Sequence, residues 1–387
     1  MKQILWFLLL AFSSGMVDAT HPVDAIASSA TPPVPTSKTR LGDAFHYHQD
    51  NLSEGPWSVH VIRIRRDRPD LGIHVLLGGS NHLGVGTLSS QASAFPKNRG
   101  LPLAAINGDF FARQGPCLGD PEGLCIRDGE LISAPNGKSA FWVGPDRSLH
   151  MGSVVSLLSM TPPHGTKMAI GLNEERHERP VLYTAASGAR TPSANGTECL
   201  FISEAASALP LRPGERSVFR LQSLHLGGNT PIPTNGVVLS LPAGTEPSAA
   251  SVAIGSLWTL STETQPDLRN ISTGLGGGPA LLKGGQPTQY QSSDARHPRS
   301  AIGWNDQFLF LVQVDGRQPG ISVGMTLSEL GTYIAGLGCT EVLNLDGGGS
   351  STLWARGQVM NIPCEGSERP MGNALLISVD TRAGGPR

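Results

Sequence analysis

The chain has 387 residues, of which 16% are charged, with 48 glycines, 30 prolines and a formal net charge of −2. That length permits one large or two smaller domains. A charged fraction below the usual quarter, with so many turn formers, points to a β-rich protein with long ordered loops rather than a helical bundle. The near-balanced charge and the lack of a basic block give no reason to expect a nucleic-acid or membrane-surface partner.

The chain opens like a secretory signal over residues 1–19. Lys2 supplies the positive start, Ile4 to Phe12 the apolar stretch, and Val17-Asp18-Ala19 the cleavage positions. The apolar run is short for a bilayer and no later segment approaches about 20 apolar residues, so stable membrane insertion is not expected. The expectation is a secreted or periplasmic protein. Residues 20–40, rich in Ala, Ser, Thr and Pro, read as a disordered linker.

Beyond the linker, Trp57 to Ile64 and Gly72 to Leu77 alternate as half-buried strands do, and Thr87 is placed to cap a helix over Leu88 to Phe95. Leu103 to Ile106 reads as a buried strand leading into Asn107-Gly108-Asp109. From about residue 126 to 260 the pattern is strand and turn, a candidate β-rich subdomain. Pro180 to Thr184 and Leu200 to Ser203 are its strands, Gly227-Gly228-Asn229 a turn, and Asp128-Gly129 and Asn235-Gly236 hairpin turns. The last third holds strands over Ala301 to Trp304 and Phe308 to Val314. A capping box, Thr326-Leu327-Ser328-Glu329, opens a helix through Ala335. Strands at Val342 to Leu345 and Leu375 to Val379 follow, so a strand, a helix and a strand form a crossover. The fold class expected is α+β, with mixed β-sheets and few helices.

Five cysteines, at 117, 125, 199, 339 and 364, lie beyond the signal. In an oxidising compartment some pairing is expected, though spacing does not fix it. Cys117 with Cys125 would close a small loop, Cys339 with Cys364 would bracket residue 346, and Cys199 would remain as a small buried hydrophobe. The spacings form no zinc pattern.

The segment Leu343-Asn344-Leu345-Asp346-Gly347-Gly348-Gly349-Ser350-Ser351-Thr352 carries the clearest chemical signal. A short apolar strand runs into one carboxylate, then three glycines, then hydroxyls. Consecutive glycines let a ligand approach the backbone, and their N–H groups can line an anion-binding nest beside a rigidly held Asp346. Other chemistries lack their signatures. No Gly-X-Ser-X-Gly elbow is present, Asn136-Gly137-Lys138-Ser139 lacks the first glycine of a phosphate-binding loop, and His177-Glu178 has no second histidine. No metal-ligand pattern is evident, although a Ca²⁺ held by Asp346 with backbone carbonyls stays open.

Further segments join that loop in order: Ile106-Asn107-Gly108-Asp109-Phe110-Phe111, Gly276-Gly277-Gly278-Pro279, His297-Pro298-Arg299-Ser300-Ala301, Val314-Asp315-Gly316-Arg317, Met325-Thr326-Leu327-Ser328-Glu329-Leu330 and Glu368-Arg369-Pro370-Met371-Gly372-Asn373. The ordered set, spanning roughly Leu101 to Asp380, resembles the phosphodiester glycosidase family. That resemblance implies a catalytic domain over residues 41–382 and a hydrolase. Its substrate would be a sugar, such as N-acetylglucosamine, joined through its anomeric carbon to a phosphodiester in a glycan or exopolysaccharide. The phosphate leaves as a weak base, so the demands are stabilisation of an oxocarbenium-like sugar, neutralisation of the departing phosphate and a poised nucleophile or base.

On this reading Asp346 is the candidate nucleophile or base, with Glu368 and Asp109 as supporting carboxylates. Arg299 and Arg369, with Gly347, Gly348, Gly349 and Ser350, would hold phosphate, and Asn107 and Asn373 would bind sugar hydroxyls. Asp315 suits an ordinary turn as well as a site, Arg317 reads as a surface or loop-pinning residue, and Trp304 and Trp354 as core or as sugar-stacking rings. Many family members carry glycine at the Asp109 position, so the carboxylate there is a departure. The rival reading is a non-catalytic phosphoglycan- or carbohydrate-binding protein using the same cleft.

Overall fold

The computed structural model describes residues 45–242, 244, 253–291 and 295–380, so the signal at 1–19 and the linker at 20–40 lie outside the described residues. The described residues form one compact unit. Among the described residues the aliphatic and β-branched runs gather into four sheets, with two α-helices, α1 (Leu88–Ser93) and α2 (Leu327–Gly336). The class expectation therefore holds in its coarser part, a β-rich fold with few helices.

The sheet that positions the site runs in the order Phe45–Leu52, Trp57–Arg65, Phe308–Val314, Arg299–Trp304, Glu341–Asn344, Ala280–Lys283 and Gln286–Pro287. Its central strands are buried along nearly their whole length, which is why they read as continuous apolar runs rather than alternating ones. Ile62, Ile302, Leu311 and Leu343 pack on one side, and Val61, Val312 and Val342 pack with Leu330 and Ile334 of α2 on the other.

Thr326 accepts from the Glu329 N–H at 3.1 Å while the Glu329 side chain accepts from the Thr326 N–H at 2.8 Å, completing the expected capping box. Strands Phe308–Val314 and Glu341–Asn344 both pair antiparallel with Arg299–Trp304, one on each side. They therefore run parallel to each other, and α2 is the crossover between them.

This topology brings three chemistry-bearing strand ends together. Arg299 faces Val314 across the sheet, and Ala301 faces Asn344. A five-stranded sheet, Gln358–Val359, Leu353–Ala355, Leu101–Asn107, Asn373–Val379 and Leu71–Leu77, adds two more ends, since Asn107 faces Ala374. Asp346 joins the two sheets by donating its N–H to Gly108 O at 3.0 Å. The middle of the chain builds an eight-stranded sheet between Ser159 and Ser261, with Phe201, Phe219, Leu239 and Trp258 in its apolar cluster.

Two local expectations are corrected. Asn235-Gly236 is not a hairpin turn. Strand Arg216–Leu226 pairs with one side of Thr197–Ser203, and Gly236–Leu241 then takes the opposite side of Thr197–Ser203. The cysteines are all free thiols. Cys117 packs with Val181 and Tyr183, whereas Cys125 lies in a different cluster with Ile106 and Phe141. Cys339 is buried with α2 and Val342, while Cys364 lies in a partly exposed loop. Each buried thiol fills its own apolar niche. Among the described residues no helix is long and apolar enough to cross a membrane.

Candidate active site

The chain leaves strand Glu341–Asn344 through buried Leu345 and turns at Gly348–Ser350. Gly348 takes φ +61°, a left-handed conformation that glycine adopts without a Cβ penalty. Asn107 clasps the turn from the neighbouring sheet. Its Nδ2 donates to Asp346 O at 2.8 Å, and its Oδ1 accepts from Ser300 Oγ at 2.6 Å and from Thr352 N–H at 3.1 Å. The buried amide thus fixes both ends of the loop with the groups that were expected to meet a sugar.

Asp346 is half-buried, and its Oδ1 accepts from Gly347 N–H at 2.8 Å. Burial pushes its carboxyl above its ordinary value. The Ser350 hydroxyl, the Gly347 N–H and the charges of Arg369 and Arg113 pull it back. A carboxylate so balanced is suited to taking a proton or attacking carbon near neutral pH.

Three guanidinium groups face three successive glycines. A Cβ on Gly347 would lie 3.9 Å from Arg299 Nη1, one on Gly348 would lie 3.0 Å from Arg317 Nη2, and one on Gly349 would overlap the Arg369 guanidinium. Gly348 and Gly349 are therefore what allow Arg317 and Arg369 to close on the backbone, whereas a Cβ on Gly347 would crowd Pro298 O at 2.9 Å. Arg299 is anchored by Nε to Met325 O and by Nη2 to Ala295 O, both at 2.8 Å, which leaves Nη1 on the loop side. Burial and the neighbouring Arg317 charge push its pKa below the ordinary value. Arg369 pairs with Glu365, and its Nη1 lies 3.5 Å from Ser350 Oγ. Arg317 donates to His297 Nδ1 at 3.4 Å, and burial with the charges of Arg299 and Arg317 lowers the His297 pKa. Among the described residues neither Arg299 nor Arg317 pairs with a carboxylate. Arg299 is a half-buried cation with only neutral partners, which favours an incoming anion, while Arg317 stands exposed beside it.

The remaining expected residues stand elsewhere. Asp109 is 3% exposed and accepts from the Phe110 and Gly123 N–H groups, each at 2.8 Å. Burial pushes its carboxyl up to about 7. Asn373 is buried, and its Oδ1 accepts from the Asp109 N–H at 2.8 Å. Glu368 binds the start of α1 through Ser89, accepting from its N–H at 2.9 Å and from its hydroxyl. Trp304 and Trp354 are core. The structure thus gathers Asp346, Gly347, Gly348, Gly349, Ser350, Arg299 and Arg369 into one cluster. Asn107, Asp109 and Asn373 lie beneath it as supports, and Glu368 serves the helix.

Arg317, read from the sequence as a surface or loop-pinning residue, is exposed and lies over Gly348, while sequence reasoning missed Arg113, whose charge reaches Asp346 and Glu365. Arg317 carried a signal in its Asp315-Gly316-Arg317 motif, and Arg113 carried none. Among the described residues no group of three or more His, Cys, Asp or Glu side chains gathers as a metal site. The charges facing Asp346 are guanidinium groups, surroundings that suit an anion and do not suit Ca²⁺.

A β-rich fold of this kind occurs in solved structures. A hypothetical protein from Synechocystis matches with a TM-score of 0.71 and 21% identity, over 87% of this chain and 62% of its own. A protein of Burkholderia pseudomallei K96243 described as a candidate exported protein matches with a TM-score of 0.66 and 22% identity, over 84% of this chain and 74% of its own. At such identities the likeness is one of fold. In sequence, the SPbeta prophage-derived uncharacterized protein YomE of Bacillus subtilis (strain 168) is 36% identical over 94 residues, 24% of this chain and 14% of that protein. The family model for phosphodiester glycosidases matches residues 218–378. The resemblance carried by the motifs therefore holds at family level across that stretch, which includes Arg299, Arg317, the Asp346 loop and Arg369.

Proposed function

We propose that this protein is an exported glycosidase that hydrolyses sugar-1-phosphodiester bonds. The observation that carries the reading is the row of three arginines on three successive glycines beside Asp346, inside the stretch that matches the family. Phosphodiester cleavage at the sugar leaves a phosphate monoester, so negative charge grows on the phosphate as the bond breaks. Donors fixed where that charge develops stabilise the transition state more than the ground state. Arg299, Arg317 and Arg369 are arranged for this.

Asp346, on the far side of the reacting carbon, attacks C1 or draws a proton from the water that does. The C1–O bond breaks, the electron pair leaves with the phosphate, and water supplies the hydroxyl of the free sugar. Export rests on the signal-like start of the chain. Incubating the purified protein with UDP-N-acetylglucosamine and other sugar-1-phosphodiesters tests the proposal. Free sugar should appear, and a panel that is bound but never turned over would instead mark a binding protein.

A further inference from the structure

Beneath the arginine row lies a buried carboxylate with no part in the chemistry above. Asp315 is 1% exposed and directly follows strand Phe308–Val314. Its Oδ2 accepts from His60 Nε2 at 3.0 Å and from Ser58 Oγ at 3.3 Å. Its Oδ1 accepts from Gln313 Nε2 and the Ile362 N–H, both at 3.2 Å, and from Asn361 Nδ2 at 3.4 Å. His60 bridges outward from it, with Nε2 toward Asp315 and Nδ1 2.9 Å from the Tyr47 hydroxyl.

An ordinary Asp-Gly turn needs none of this, and burying a charge is costly unless every lone pair is met. What the network holds is the site. Two residues on, Arg317 is in the left-handed region at φ +59°, with its guanidinium over Gly348. A Cβ on Gly316 would lie 2.7 Å from Pro298 N, so the turn is pressed against the residue before Arg299. Asn361 carries the network to the far side of the glycine loop, accepting from the Leu353 N–H at 2.8 Å and donating to Ser351 O at 3.2 Å. Ser322 closes the turn by donating to Asp315 O at 2.6 Å while accepting from the Ser58 N–H at 3.1 Å.

We propose that Asp315, held by His60, is a positioning residue for the anion site, fixing Arg317 over Gly348. Phosphate affinity is then a property of this buried network as well as of the arginines, a statement that rests on the anion-binding reading above.

A double-mutant cycle read by calorimetry with inorganic phosphate tests it on the full chain, with a thermal melt for each variant. Arg317→Ala should weaken phosphate about tenfold. Asp315→Asn should do nearly the same, and the double variant should bind no more weakly than Arg317→Ala alone, because both changes remove one positioned group. Should Asp315→Asn fail to fold, His60→Gln and Ser58→Ala take its place in the same cycle. A folded Asp315→Asn, or its substitutes, with wild-type affinity, or losses that multiply in the double variant, would overturn the inference alone. Wild-type protein that binds no phosphate would overturn the anion-site reading and this inference together.

Discussion

Asp109 supports a prediction that depends on no substrate. Its carboxyl is buried and pushed up to about 7 from an ordinary 3.8. Between those values the folded protein keeps a proton that the unfolded chain has lost. The stability this confers is fully present below the unfolded value and is lost as pH rises through the folded one. At about 1.4 kcal/mol per pH unit, the whole span is worth about 4 kcal/mol, about 3 kcal/mol of it between pH 5 and pH 8. Asp109→Asn removes this titration but sets an amide donor against one of the two N–H groups, of Phe110 and Gly123, that the carboxyl now accepts. That mismatch costs about 1–3 kcal/mol at any pH. The stability of the variant relative to wild type should therefore rise by about 3 kcal/mol between pH 5 and pH 8. Urea unfolding of both proteins across this range measures the change. Asp120, which burial raises and the Asp109 charge raises further, titrates differently in the two proteins, so the pair is compared in an Asp120→Asn background to isolate Asp109. Stability curves that stay parallel from pH 5 to pH 8 would refute the reasoning.

Three further outcomes follow from the same geometry. Gly349→Ala places a methyl where the Arg369 guanidinium lies, and the flexible side chain must swing away. Activity should fall by about tenfold or more while the melting temperature changes little, because the displaced Arg369–Glu365 pair is largely at the surface. Glu368→Ala should cost about 1 kcal/mol through the lost bonds to Ser89 and leave kcat/KM within about twofold, checked by melting and steady-state kinetics. The acid limb of the rate profile should lie above the ordinary carboxylate value, since Asp346 must be ionised to act and burial raises its pKa; a limb at or below that ordinary value would contradict the role.

The parts of this protein legible in the sequence are those that local chemistry decides. The Thr326–Glu329 capping box, the buried runs on either side of α2 and the Asp346 glycine loop each depend on residues within a few positions of one another. Arg113 was not legible, because its approach to Asp346 comes only from packing between distant segments. Arg317 reads as a surface or loop-pinning residue, and it is exposed; what the sequence did not show is that its turn is pinned from below by His60, Ser58 and Asn361. Asn107 and Glu368 also show contacts that local sequence does not reveal. Their side chains suit a ligand in type and position, yet the fold uses them on the Asp346 loop and on α1. Asn235-Gly236 fits a hairpin turn locally, and only the sheet order moves its strand to the other side of Thr197–Ser203.

Oxygen-18 water tests the central claim most directly, because it reports which bond breaks. With a sugar-1-phosphodiester substrate, hydrolysis at the anomeric carbon places the label in the free sugar and none in the phosphate, and Asp346→Asn abolishes the signal. Label found in the phosphate would mean that the phosphorus–oxygen bond is cut, and the roles of Asp346 as nucleophile or base and of the arginine row as leaving-group clamp would be contradicted.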